Sequence, residues 1–172
     1  MEESIVYING LFIPLRNAKI SILDRGFCYG DGLFETLRVN NGKVFHITEH
    51  INRLFDSLQQ ILIELPMTRK ELMLMVQETV DRNKYKNAVI RLLVTRGETE
   101  SNIQIDSKVH PNLVISIRPF TPLPKLTYKK GIRVMLFKER ANLINGLNQR
   151  LKSCNYLSNI LIKELSDKKN YT

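Results

Sequence analysis

Two Asn-Gly pairs of this chain each stand between two strand-like runs. Asn9-Gly10 separates Val6-Tyr7-Ile8 from Leu11-Phe12-Ile13, and Asn41-Gly42 separates residues 33–39 from residues 43–47. A two-residue turn of the hairpin type needs positive φ at its central positions, which Asn and Gly accept at little steric cost. Each pair therefore predicts a β-hairpin. Residues 18–23 alternate apolar and polar and predict a further strand. Residues 88–95, whose one charged side chain is Arg91, and residues 113–118 predict two more.

Helical periods lie between these runs. Thr48 is expected as an N-cap with Glu49 in the first turn. Ile51, Leu54, Phe55, Leu58, Ile61 and Leu62 follow at helical spacing. Thr68 and Glu71 have the spacing of a capping box, ahead of Leu72, Val76 and Val80. Together these predict an α+β class. Pro119, Pro122 and Pro124 make a stiff connection. Residues 1–120 are expected to form a small α+β domain and 121–130 a linker. Residues 131–172 are expected to begin a second domain, opening with a strand at 132–137.

A chain of 172 residues, 43% hydrophobic, suffices for one core or a domain and a half. No 18-residue apolar run predicts a membrane span, and the acidic start lacks the pattern of a signal peptide. Cys28 and Cys154 are too few for a disulfide framework and fit reduced thiols in a cytoplasmic protein. No Cys/His spacing suggests a metal. The net charge is +9, and residues 125–172 hold 11 Lys/Arg against 3 Asp/Glu. These charges are interspersed with apolar residues, without an arginine-rich run. That disfavours nucleic acid and leaves two readings: this half faces an anionic ligand, or acidic sequence expected to follow is absent.

Two stretches carry candidate chemistry. Asp24-Arg25-Gly26-Phe27-Cys28-Tyr29-Gly30-Asp31-Gly32 has three glycines in seven residues, the mark of backbone that needs positive φ or close approach. Lys152 stands just before Leu157, Ile160, Leu161 and Leu165, which share one helical face; Asn155 or Ser153 is the expected cap. A lysine at that position is either a packed stem with its ammonium in water or a desolvated amine able to attack a carbonyl carbon.

The Asp24–Glu35 stretch, His50-Ile51-Asn52-Arg53-Leu54 and Leu151-Lys152-Ser153-Cys154-Asn155-Tyr156 occur in one order. In that order they resemble the class IV (fold-type IV) pyridoxal-phosphate enzymes, which include branched-chain aminotransferases, D-amino acid aminotransferases and aminodeoxychorismate lyases. The resemblance implies a small N-terminal domain followed by the beginning of a larger pyridoxal-phosphate-binding domain. It implies that Lys152 forms the Schiff base with pyridoxal 5'-phosphate and shuttles the substrate proton. Arg53 is implied to bind the cofactor phosphate, and Tyr156 to hydrogen-bond its phenolate oxygen, as in the branched-chain subfamily. Tyr29, Phe34, Arg38 and Arg91 match substrate-lining positions, and Glu35 matches an acid. Arg53 is otherwise a solvated helix residue, Tyr156 a core aromatic, and Arg91 an edge-strand residue facing water.

The sequence also departs from the family. Val89 stands where branched-chain enzymes have a tyrosine. No Arg-x-His pair lies between Arg96 and His110, which argues against a D-amino acid enzyme, and Glu35 stands where one lyase type has threonine. The chain also stops about where the next strand of the family's large domain is due. The expected activity is amino transfer between an amino acid and a 2-keto acid by a homodimer. The alternatives are aminodeoxychorismate lyase and a truncated, non-catalytic interaction module.

Overall fold

The computed structural model describes residues 3–100, 103–105, 109–136, 151–169 and 171. Strands β1 (Ile5–Ile8) and β2 (Leu11–Pro14) close on Asn9-Gly10, both with positive φ (47° and 98°). A short helix α1 (Arg25–Tyr29) leads into β3 (Gly32–Asn40), which turns at Asn41-Gly42 into the two-residue β4 (Lys43–Val44). Helices α2 (Ile47–Gln60) and α3 (Arg69–Asn83) follow, then β5 (Asn87–Thr95) and β6 (Asn112–Pro119). The strands form a six-stranded sheet in the order β2-β1-β6-β5-β3-β4, with every neighbouring pair antiparallel.

One face of the sheet carries the core. Leu33, Leu37 and Val39 of β3, Ala88, Ile90, Leu92 and Val94 of β5, and Leu113, Ile115 and Ile117 of β6 are buried. They meet Ile51, Leu54 and Leu58 of α2 and Leu72, Val76 and Val80 of α3. Each such Val, Leu or Ile side chain contributes about 1.5–3 kcal/mol by leaving water. The Thr68–Glu71 capping box closes with both reciprocal bonds. At the other end of α3, Asn83 grips both polar atoms of Ile5: its Oδ1 accepts from Ile5 N at 2.9 Å, and its Nδ2 donates to Ile5 O at 2.8 Å.

Several sequence expectations are corrected. Residues 18–23 form no strand, because Ile20, Ile22 and Leu23 find no sheet partner and stay exposed. The strand expected at 43–47 is only two residues long. Helix α2 starts at Ile47, so its N-cap is His46 in the left-handed conformation, not Thr48. Residues 132–136 form no strand with any other of the described residues, and Phe137 lies outside them.

The chain divides into two compact units. One comprises Met1–Phe120 with Lys152–Cys154; the other comprises Thr121–Leu151 and Asn155–Thr172. The second unit contains α4 (Lys125–Lys130), within the stretch expected as a linker, and α5 (Leu157–Lys168). Leu157, Ile160, Leu161 and Leu165 of α5 are exposed. The N-cap of α5 is Tyr156, with no capping side chain, rather than Asn155 or Ser153. No helix among the described residues is long and apolar enough to cross a membrane.

Candidate active site

The glycine-rich turn fixes the start of β3. Asp24, fully buried, caps α1 by accepting from Phe27 N at 3.1 Å. Its other oxygen accepts from Thr95 Oγ1 at 2.6 Å and Asn112 Nδ2 at 2.7 Å, tying the turn to β5 and β6. Gly30 ends α1 with φ 69°, a left-handed position that suits glycine. Gly32 is a close approach: a Cβ there would lie 2.6 Å from Val94 O and 3.3 Å from Cys154 Sγ. Asp31 is clamped by Arg96 and Arg25, at 2.7 and 2.8 Å. Burial works against its charge, but the hydrogen bonds of the two guanidiniums prevail and hold its carboxyl below the usual range.

The close approach at Gly32 admits the lysine segment. Phe34 N donates to Lys152 O and Cys154 N donates to Gly32 O, each at 2.9 Å, so Lys152–Cys154 lies along the free edge of β3. That edge is free because β4 pairs only with Val39 and Asn40. Lys152 is half-buried, its Nζ 5.3 Å from the centre of the Phe34 ring. The Arg91 guanidinium lies 4.1 Å from the same centre. Phe34 thus holds two cations, and no carboxylate of the described residues forms an ion pair with either. Burial pushes the neighbouring Cys154 thiol up to about 11, so it is not a thiolate at neutral pH.

The carboxylate of the site sits one residue further on. Glu35 shares the inward register of Leu33 and Leu37, and its side chain is 2% exposed. His50 and Arg53, three residues apart on α2, both reach it. Arg53 donates from Nε to Oε1 and from Nη2 to Oε2, each at 2.6 Å, and His50 Nδ1 lies 2.9 Å from Oε2. Burial raises the carboxyl's proton affinity, but hydrogen bonds from Arg53 and His50, with the charges of Arg53 and Lys152, outweigh it and hold Glu35 ionised below its ordinary range. The same pair raises Arg53.

The structure therefore brings Lys152, Phe34, Arg91, Glu35 and Arg53 to one end of β3. Arg91 is not on an edge strand: β5 is internal, and the side chain stands on the sheet's open face. Arg38 is elsewhere. Four residues along β3, about 13 Å at the usual rise, it lies over the Phe120 ring at 3.3 Å and donates to Ala88 O. Tyr29, at the end of α1, is exposed, its ring beside the Arg25 guanidinium. Tyr156 belongs to the second unit. Sequence reading missed the roles of His50 and Glu35. The available signal was an acid in the inward register of a strand, facing an arginine and a histidine one helical turn apart.

Comparison with known proteins gives the family. The family model for amino-transferase class IV matches residues 32–172. A proposed branched-chain-amino-acid aminotransferase of Methanocaldococcus jannaschii is 38% identical over 159 residues, covering 92% of this chain and 54% of that protein. A D-alanine aminotransferase of Staphylococcus aureus is 33% identical over 166 residues, covering 96% and 57%. The branched-chain aminotransferase of Thermoproteus uzoniensis, solved with norvaline, superposes with a TM-score of 0.84 at 26% identity, covering 98% of this chain and 58% of that one. The Escherichia coli branched-chain amino acid aminotransferase shares the fold at TM-score 0.90 and 23% identity, covering 99% and 58%. The chain spans somewhat over half the length of these relatives, and it belongs to the amino-transferase class IV family.

Proposed function

We propose that this chain carries the lysine-bearing part of a pyridoxal-phosphate-dependent aminotransferase that moves an amino group between an amino acid and a 2-keto acid. The observation that carries the reading is the convergence at the edge of β3. Lys152, an amine without an acidic partner among the described residues, is fixed there by backbone bonds. Its charge reaches Glu35, which in turn holds Arg53. An aldehyde bearing a phosphate monoester fits this donor set: a nucleophilic amine for the carbonyl and a guanidinium for the phosphate. When bound, pyridoxal phosphate supplies the electron sink for a carbanion at the substrate's Cα.

The chain's own residues supply the rest. Lys152 Nζ would be the amine that holds the cofactor's carbonyl carbon and the group that moves the proton at the substrate's Cα. Phe34 orients that amine by its ring face. Arg53 holds phosphate through the edge that Glu35 leaves open. Arg91, on the same ring as Lys152, attracts a substrate carboxylate. Tyr29 and Arg38 are assigned to the substrate wall and Tyr156 to the cofactor's phenolate oxygen on family resemblance. We read the working protein as a cytoplasmic homodimer; the exposed Ile20, Ile22, Leu23 and Phe27 support a subunit contact.

A branched-chain L-amino acid is the preferred donor, supported by the Methanocaldococcus relative. D-alanine is the second reading, favoured by the Staphylococcus relative. Keto-acid-dependent turnover of L-leucine, D-alanine and aminodeoxychorismate separates them. Glutamate formed from L-leucine and 2-oxoglutarate supports the first reading, and pyruvate released from D-alanine only with 2-oxoglutarate present supports the second. Pyruvate from aminodeoxychorismate without any keto acid identifies a lyase and overturns both.

A further inference from the structure

We infer that Glu35 is a positioning residue: it fixes the Arg53 guanidinium so that the outer edge is presented to an anionic group, with His50 as the second support of the same carboxylate. The inference rests on the reading above, in which that anion is the phosphate monoester of the cofactor.

Glu35 is buried, yet both its oxygens are engaged. Oε1 accepts from Arg53 Nε, and Oε2 from Arg53 Nη2 and His50 Nδ1. Two parallel bonds at 2.6 Å fix the guanidinium plane as well as its position. The opposite side of the group behaves differently. Arg53 is 48% exposed, and its Nη1 has no hydrogen-bond partner among the described residues. An arginine in water loses much rotamer freedom when it grips a ligand. Here that loss is already incurred in folding, so an incoming anion meets a fork whose inner edge is locked and whose outer edge is free. His50 works in the same direction: with its Nδ1–H on Oε2, the ring stands beside Nη2 at 3.2 Å and limits how the carboxylate can turn.

A competing effect has the opposite sign. The Glu35 charge repels a phosphate and partly neutralises Arg53. If charge dominated, removing it would tighten phosphate binding. We expect geometry to dominate, because the carboxylate's charge is spent on three donors and water at the outer edge screens what remains.

The test compares dissociation constants for pyridoxal 5'-phosphate and for pyridoxal, read by absorbance in the natural protein. The ratio of the pyridoxal constant to the pyridoxal 5'-phosphate constant isolates the phosphate contribution from attachment at Lys152. Arg53→Ala and Glu35→Gln are each expected to lower the ratio about tenfold or more, the scale of a lost charge-assisted contact. Pyridoxal binding should stay within about twofold. The double variant should show no lower ratio than Arg53→Ala alone, a non-additivity that mere destabilisation does not produce. An unchanged or higher ratio in Glu35→Gln, with Arg53→Ala lowered, overturns the inference and leaves the proposed function standing. An unchanged ratio in Arg53→Ala overturns it through Arg53 itself, and a parent protein that binds neither compound overturns the proposed function as well. Should Glu35→Gln fail to fold, Glu35→Asp keeps the charge but falls one methylene short of the fork; a ratio equal to the parent's overturns positioning, and a lowered one supports it.

Discussion

Glu35 shows how one residue connects fold to chemistry. Its carboxyl lies in the core-facing register, where an unpaired charge is costly, and α2 supplies two donors one turn apart. The same pair carries a pH signature. The folded-state value is below the ordinary 4.5, so the stabilisation is fully present above about pH 4.5 and lost as pH falls through the folded value. Asp31, lowered from 3.8 by Arg96 and Arg25 against the opposing effect of burial, adds to the same side. Thermal stability should therefore fall from about pH 4.5 downward. Glu35→Gln should flatten the upper part of that fall while costing about 1–3 kcal/mol at neutral pH; a melting series from pH 3 to 7 for parent and variant checks both. Lys152 and Arg53 were legible as candidates from the order of motifs. The carboxylate that holds Arg53 was not, because sequence alone does not say which face of β3 meets α2.

The glycine turn is the element on which the site depends. Asp24 caps α1 and holds Thr95 and Asn112 together, so Asp24→Ala removes a cap and orphans two donors. It should cost about 2–4 kcal/mol in a urea titration. Gly32→Ala places a methyl against Val94 O and toward Cys154, where the lysine segment crosses. A cost of about 1–3 kcal/mol is expected, together with weaker attachment at Lys152; normal stability and attachment would show that the crossing tolerates a shift. Elements were readable where local chemistry decides them. Both Asn-Gly hairpins and the Thr68–Glu71 capping box formed because each needs only nearby residues. Alternation at 18–23 misled because period two reports a strand's potential, whereas pairing needs a neighbour. Thr48 misled because β4 stopped early, leaving His46 to start the helix in the left-handed region.

At the scale of the whole molecule, the chain divides so that Lys152–Cys154 belongs with the first unit although it lies far away in sequence. Backbone bonds across β3 cause this, and no composition shift announces it. The apolar face of α5 was legible as periodicity, and in the structure Leu157, Ile160, Leu161 and Leu165 are exposed. An exposed face of this kind favours association. Residues 1–172 expressed as such should bind the dye ANS strongly, and Leu157→Lys with Leu161→Glu should reduce that signal at least by about half without lowering the melting temperature of the β-sheet unit. Dye binding equal in parent and variant would place the accessible apolar surface elsewhere.

The central claim is that Lys152 is the amine to which pyridoxal phosphate attaches. The direct measurement is reduction with borohydride in the presence of pyridoxal phosphate, followed by peptide mass analysis of the parent and of Lys152→Ala. The account predicts one phosphopyridoxyl group, on the peptide containing Lys152, and no specific label in the variant. A label spread over surface lysines, or one retained at another single lysine in Lys152→Ala, contradicts it.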